Sequence, residues 1–273
     1  MNDPITLTDA SEQLGVHYMT VYKYVRTGKL AARKVAGQWW ISPDDLASFE
    51  SGAPTAPRTD VVPPQVVQRL AAGDENGAVT LLEAAMSAGA DPEEVYLDLL
   101  GPAMVAIGAR WQDGRLTIAQ EHLATTTTLR VIARLGNRAM PRGQTKGTVV
   151  LAVIANDYHS IPTAVIRDLL RFRGFEVIDL GANTPAESIL ETALSVEHDL
   201  VGVGLTASTP GADESMKRTI KILSDGLSVP LIVGGGAFKD ADHVSRLGNC
   251  IPTTSAREAL ERFDEIHDAA LAR

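Results

Sequence analysis

The hydrophobic pattern divides the chain into a mixed head, a helical middle and a tail in which strands and helices alternate. Residues 7–28 read as helix, turn, helix, with Gly15 where the turn needs a permissive backbone. Residues 34–42, KVAGQWWIS, read as a short hairpin of Lys34-Val35 and Trp39 to Ile41 around Ala36-Gly37-Gln38. Pro54, Pro57, Pro63 and Pro64 then mark 51–64 as an extended, solvated linker. From 65 to about 140 no strand pattern emerges, and helices are predicted at 66–72, 74–88, after 91, and from about 116 to 140. Asp91 as N-cap, Pro92 at the first helical position and Glu93-Glu94 in the first turn start the third of these. The consecutive threonines at 125–128 favour a strand by propensity. Leu123, Leu129, Ile132 and Leu135 keep helical spacing around them and decide for helix.

From Thr148 the pattern changes. Apolar, β-rich runs occupy 149–155, 175–181, 200–207 and 229–236, with amphipathic segments at 162–173, 185–196 and 213–223 between them. A weaker unit, CIPTT from Cys250, precedes a charged helix from 257 to the end. Continuous apolar strands joined by helical crossovers predict a parallel sheet covered on both faces, a doubly wound α/β domain. Such sheets bind ligands outside the carboxyl ends of their strands. Asp157 and His159, Thr206 to Ser208, and Gly234 to Gly236 all fall at those ends.

At 273 residues there is room for more than one domain, and the composition shifts place boundaries at 1–50, 51–64, 65–142 and 143–273. Hydrophobic residues at 45% and charged residues at 22% are those of a soluble globular protein. A net charge of −9 excludes wholesale coating of nucleic acid, yet the segment between His17 and Trp40 holds basic residues and no acidic one. Cys250 is the one cysteine, so neither a disulfide framework nor a cysteine-based zinc site is available. No apolar run reaches membrane-spanning length, and MNDPITLTD lacks signal-peptide character, so a cytoplasmic protein with no membrane partner is expected.

Two histidine motifs carry the chemistry. Trp111 is followed after nine residues by Glu121-His122 in the helical middle, and Asp157-Tyr158-His159 ends the first tail strand. A metal-ligating histidine commonly has its other ring nitrogen held by a carboxylate, which Asp-x-His at a strand end can supply. Singly, each motif has a plainer reading: a core tryptophan, a solvated Glu-His pair, a helix cap, a glycine turn.

Residues 5–49 resemble the winged helix-turn-helix of the MerR and excisionase families, on GVHYMTVYKYVRTGKL and GQWWI. The resemblance implies that the second helix enters the major groove of double-stranded operator DNA. Tyr18, Thr20, Tyr22 and Lys23 would then lie nearest bases or phosphates, and Arg26, Lys34 and Gln38 would make backbone or wing contacts. So small a module needs a homo-oligomer, a dimer or tetramer, for useful affinity. The alternative use is a helical protein-interaction module.

Residues 65–270 resemble the cobalamin-binding unit shared by methionine synthase, corrinoid methyl carriers and CarH-type light-sensing repressors. That implies a four-helix cap followed by a flavodoxin-like corrinoid domain. The cap motif is matched by Trp111, Glu121 and His122, and the Asp-x-His-x-x-Gly motif by Asp157 and His159 with Pro162 in the glycine position. The Ser-x-Leu motif appears altered as Thr206-Ala207-Ser208, and the Gly-Gly motif as Gly234-Gly235. By the resemblance His159 would ligate cobalt, with Asp157 orienting its ring. Thr206, Ser208, Gly234 and Gly235 would line the groove for the cofactor's nucleotide tail. Trp111 would shield the upper face, where Glu121 and His122 could hydrogen-bond an adenosyl group. In CarH-type sensors the residue after the tryptophan is a histidine able to ligate cobalt after illumination; here it is Gln112, leaving His122 as the cap imidazole.

The expectation is a non-enzymatic transcription regulator that binds adenosylcobalamin and responds to light by changing its oligomeric state. A bilin in place of cobalamin or beside it, a cofactor-free dimerisation domain, and a methyl-carrier subunit remain the rivals.

Overall fold

Residues 5–26, 30–35, 38–50, 64–137, 145–196 and 199–271 are described by the computed structural model. Contacts divide the chain into two units, Met1–Val62 and Pro63–Arg273. In the first, β1 (Ile5–Thr6) leads directly into α1 (Leu7–Gln13). Thr6 caps that helix: its hydroxyl accepts from the Asp9 N–H at 3.2 Å, and the Asp9 carboxylate accepts from the Thr6 N–H at 2.9 Å. Gly15, at φ +64°, turns the chain into α2 (Tyr18–Arg26). β2 (Arg33–Val35) and β3 (Gln38–Ile41) form the expected antiparallel hairpin, and β1 joins it in the order β1-β3-β2. α3 (Pro43–Glu50) follows. Leu7, Ala10, Val21, Val25, Leu30, Ile41 and Leu46 make one core; Val21 and Val25, a helical turn apart, are the share of α2 in it. The sequence pattern does not foretell β1, because two residues show no alternation.

The expected linker lies outside the described residues up to 63, and Pro64 opens α4 (Pro64–Ala71). Next come α5 (Glu75–Ser87), capped by Asp74, and α6 (Pro92–Glu94), capped by the expected Asp91. The helix after Asp91 is not regular. Val95–Leu100 is π-helical, with the Gly101 N–H reaching back to the Tyr96 carbonyl, before α7 (Gly101–Gln112) resumes α geometry. Pro102 gives the reason: its ring lacks a donor and crowds the carbonyl one turn back, which a widened turn relieves. α8 (Ile118–Gly136) runs through the four threonines. Thr125 donates to Glu121 at 2.9 Å and Thr127 to the Leu123 carbonyl at 2.7 Å within the helix, while Thr128 donates to the Met104 sulfur of α7 at 3.0 Å.

The tail is the expected doubly wound domain. Its strands are β4 (Thr148–Val153), β5 (Glu176–Asp179), β6 (Leu200–Thr206), β7 (Leu231–Gly234) and β8 (Ile251–Pro252). They form one five-stranded sheet in the order β5-β4-β6-β7-β8, every pair parallel. Its helices are α9 (Ile161–Phe172), α10 (Ala186–Ser195), α11 (Asp213–Gly226), the short α12 (Ala241–Ser245) and α13 (Ala256–Leu271). Val150, Ala152 and Ile154 pack with Ile189 of α10 and Ile220 of α11. Val149, Leu151 and Val153, equally buried, point the other way, toward the side of α9 and α13. β5 is an edge strand and its Ile178 is exposed, so the run at 175–181 is less buried than its apolar content predicts.

The strand order reverses between β4 and β6, which opens a crevice at their carboxyl ends. On the cap side, Glu93 pairs with Arg173 at 2.7 Å and Arg257 at 3.1 Å, while Asp98 pairs with Arg257 at 2.9 Å. The buried Tyr96 donates its hydroxyl to Asp168 of α9 at 2.9 Å. Burial first, and then the Asp168 charge, push the Tyr96 hydroxyl far up its titration range, so it stays a donor. No helix among the described residues is long and apolar enough to cross a membrane.

Candidate functional site

The crevice is built around Asp157. The chain leaves β4, turns at Asn156 with φ 69°, and buries the Asp157 side chain to 2% exposure. One carboxylate oxygen accepts from the His159 N–H at 3.1 Å and lies 2.7 Å from His159 Nδ1. The other accepts from the N–H groups of Ser208 and of Thr209, the latter at 2.8 Å, in the loop after β6. Burial raises the carboxyl pKa, but the donors from Thr209, Ser208 and His159 outweigh it and leave it at about 2. Asp157 is therefore a fixed anion that ties the β4 loop to the β6 loop and orients the imidazole.

With Nδ1 facing a carboxylate, the neutral ring carries its proton there and presents a lone pair at Nε2. The His159 side chain is 61% exposed and Nε2 makes no hydrogen bond among the described residues. No group of three His, Cys, Asp or Glu residues able to hold a metal occurs among them either. The arrangement suits a metal that arrives with most of its coordination already filled and takes one imidazole.

Thr206 ends β6 and pairs in register with Gly234, the last residue of β7. A Cβ on Gly234 would lie 2.6 Å from the Thr253 hydroxyl oxygen. Gly235 has φ +121°, and a Cβ there would lie 2.1 Å from the Ala207 carbonyl oxygen. The close approach these glycines permit is thus made by the chain itself; Gly236, with nothing within 4 Å of a Cβ, is the one that borders open space. Gly235→Ala is expected to cost about 1–3 kcal/mol through strained backbone and collision with Ala207. Urea denaturation checks this, and an unchanged midpoint would mean that the loop relaxes freely. Pro162 sits in the first turn of α9, where its missing N–H needs no partner.

On the cap, Trp111 lies near the end of α7 at 44% exposure, followed by the exposed Gln112. Glu121 and His122 lie in the first turns of α8. One Glu121 oxygen is 2.7 Å from His122 Nδ1 and the other accepts from Thr125, while the His122 side chain is 75% exposed. The cap thus has its own carboxylate-held imidazole. Val105, Ile118 and Leu123 are exposed on the same two helices, and Tyr158 is exposed between Asp157 and His159. Among the described residues no hydrogen bond links the cap set with the Asp157 set; each is assembled separately.

In the first unit, Tyr18 and Met19 are exposed at the start of α2, where the Met19 N–H donates to His17 Nδ1 at 3.2 Å. Thr20 is half-buried, and Tyr22 packs against the core and braces the helix. The side chains of Lys23, Arg26, Lys34 and Gln38 lie outside the described residues. Sequence reasoning missed the loop partners of Asp157. Thr209 acts through its backbone, which leaves no mark in the sequence. Asn156 and Asn183, both at positive φ after strands, left a fainter one, since asparagine tolerates that conformation.

Comparison with known proteins agrees with this geometry. The B12 binding domain family matches residues 65–135 and, through a second domain of that description, residues 147–267. A helix-turn-helix domain family matches residues 5–52. The methanol–corrinoid protein of Methanosarcina barkeri is 27% identical over 221 residues, 81% of this chain and 84% of that protein. The HTH-type transcriptional repressor CarH of Myxococcus xanthus is 32% identical over 151 residues, 54% of this chain and 49% of that protein. The monomethylamine corrinoid protein of M. barkeri shares the fold, with a TM-score of 0.61 at 18% identity over 74% of this chain and 96% of that one.

Proposed function

We propose that this chain, a helix-turn-helix domain joined to a B12-binding unit, is a transcription regulator that senses through adenosylcobalamin. The observation that carries the reading is one polypeptide holding both a helix-turn-helix head and an exposed imidazole fixed by a buried carboxylate. His159 offers Nε2 to the metal, and Asp157 keeps the ring's proton on Nδ1. Trp111 provides apolar cover, and Glu121 with His122 provides hydrogen-bonding groups for an upper ligand. When bound, the cofactor supplies a cobalt–carbon bond that visible light cleaves. Gln112 offers no imidazole directly after Trp111, which leaves His122 as the cap imidazole that could take a second ligand's place in the illuminated state.

Regulation then follows from differential affinity: the cofactor-loaded assembly, a dimer or tetramer, binds operator DNA with a strength different from that of the illuminated one. In this reading the protein works in the cytoplasm and catalyses no reaction. The test is an absorbance spectrum of protein reconstituted with adenosylcobalamin, in the dark and after illumination, alongside size-exclusion chromatography. A corrin spectrum that changes on illumination together with the elution volume is expected. A protein that takes up a bilin and no corrinoid would replace the sensing group, and uptake of neither would end the cofactor reading.

The alignment with the methanol–corrinoid protein covers more of this chain than that with CarH, 81% against 54%, and supports a second reading as a methyl carrier. The helix-turn-helix head has no evident use in a carrier. Methyl transfer from methylcobalamin-loaded protein to a partner enzyme's substrate, with no DNA shift in a gel, would decide for the carrier.

A further inference from the structure

Asn156 and Asn183 are the two non-glycine residues with positive φ among the described residues, at 69° and 56°. They lie in adjacent loops, after β4 and after β5, and they are bonded to each other's segments. The Asn183 side-chain oxygen accepts from the Asn156 N–H at 2.8 Å. In return, the Asn183 N–H donates to the Asp157 carbonyl at 2.8 Å. Two strained residues joined in this way bracket the backbone of Asp157 on both sides. Backbone bonds from Val153 to the Gly181 carbonyl and from Thr184 to the Val153 carbonyl also tie this loop to β4, but among the described residues its hydrogen bonds to 156 and 157 are made by Asn183.

We infer that Asn183 is a positioning residue for His159: its side-chain oxygen holds the β4 loop in the left-handed turn from which Asp157 aims the imidazole. The inference rests on the reading of His159 as a metal ligand. Asp157 is anchored toward β6 by Ser208 and Thr209, and toward β5 by Asn183. Removing the side-chain acceptor frees the Asn156 N–H, while the backbone bond from position 183 to the Asp157 carbonyl stays; held on one side only, the 156–157 segment can rotate with the carboxylate still charged and bonded, which moves the ring that the carboxylate orients. Backbone conformation and side-chain acceptor are separable at this position. Glycine keeps the left-handed backbone without strain and deletes the acceptor, whereas aspartate keeps the acceptor and tolerates the backbone.

The experiment compares wild type, Asn183→Gly, Asn183→Asp and Asn156→Gly in the full chain. The readouts are urea stability, affinity for cobalamin, and the cobalt(II) electron paramagnetic resonance signal, whose nitrogen splitting changes when the protein is heavy-nitrogen-labelled if a protein imidazole is bound. Asn183→Gly is expected to unfold at a urea midpoint close to that of wild type, relief at positive φ offsetting the lost hydrogen bond, yet to bind about 10-fold more weakly with a broadened or lost protein-nitrogen splitting, as loss of an outer partner does at metal sites. Asn183→Asp should restore the wild-type signal, and Asn156→Gly should leave it unchanged, because position 156 contributes only backbone. A purely structural role would move stability and binding together. Wild-type splitting and affinity in Asn183→Gly would overturn the inference while leaving the proposed function standing. A wild type without protein-nitrogen splitting would overturn His159 as ligand and this inference with it.

Discussion

Asp157→Ala is expected to destabilise the Pro63–Arg273 unit by about 3 kcal/mol, because it strips the buried acceptor from three part-buried N–H donors at once. The N–H groups of Ser208, Thr209 and His159 all converge on that carboxylate, and none of the three has another acceptor among the described residues. Urea unfolding at neutral pH measures the loss, and a change below about 1 kcal/mol would mean that water takes over the donors. The pH dependence gives a second check. The folded carboxyl titrates at about 2 against its ordinary 3.8, so its contribution is complete above 3.8 and is lost as the pH falls through about 2. The stability gap between wild type and Asp157→Ala should therefore narrow on acidification toward pH 2. A gap that widens there would contradict a depressed carboxyl pKa.

His159→Ala is expected to act oppositely: little change in stability and a large loss of cofactor. The side chain is 61% exposed and its one close partner is Asp157, which keeps its backbone donors without it. Removing an outer-sphere partner at a metal site costs about 10–100-fold in affinity, and removing the ligand itself should cost at least as much. Equilibrium dialysis against cobalamin reads the affinity, and the cobalt(II) nitrogen splitting reads the bond. Unchanged affinity and splitting would remove His159 as ligand. Combined with His159→Ala, Asp157→Ala should cost little further affinity while keeping its full effect on stability. That non-additivity would locate the carboxylate's binding role in the ring it orients.

Much of this was legible along the chain because it depends on local chemistry. Asp91-Pro92 started a helix, the spacing of Leu123, Leu129 and Ile132 overruled the threonines, and apolar runs of strand length announced the parallel sheet. Asp157 and His159 were legible for the same reason, since a two-residue spacing places a carboxylate beside its imidazole. The π-helical stretch before Pro102 was less so, because the proline signals a disturbance without saying which kind. Gly234 and Gly235 were read as room for a ligand's tail, while the space they leave is taken by Thr253 and Ala207, residues of the chain's own loops.

By itself, then, the sequence determined most element types and the residue kinds at the strand ends, since periodicity, capping and motif spacing act within a few residues. Only the tertiary structure decided what surrounds Asp157. The strand order brings Ser208 and Thr209 to it from β6 and Asn183 from β5, although Ser208 lies 51 positions along the chain from Asp157. Those partners act largely through backbone N–H groups, which every non-proline residue carries, so only their position in space could mark them.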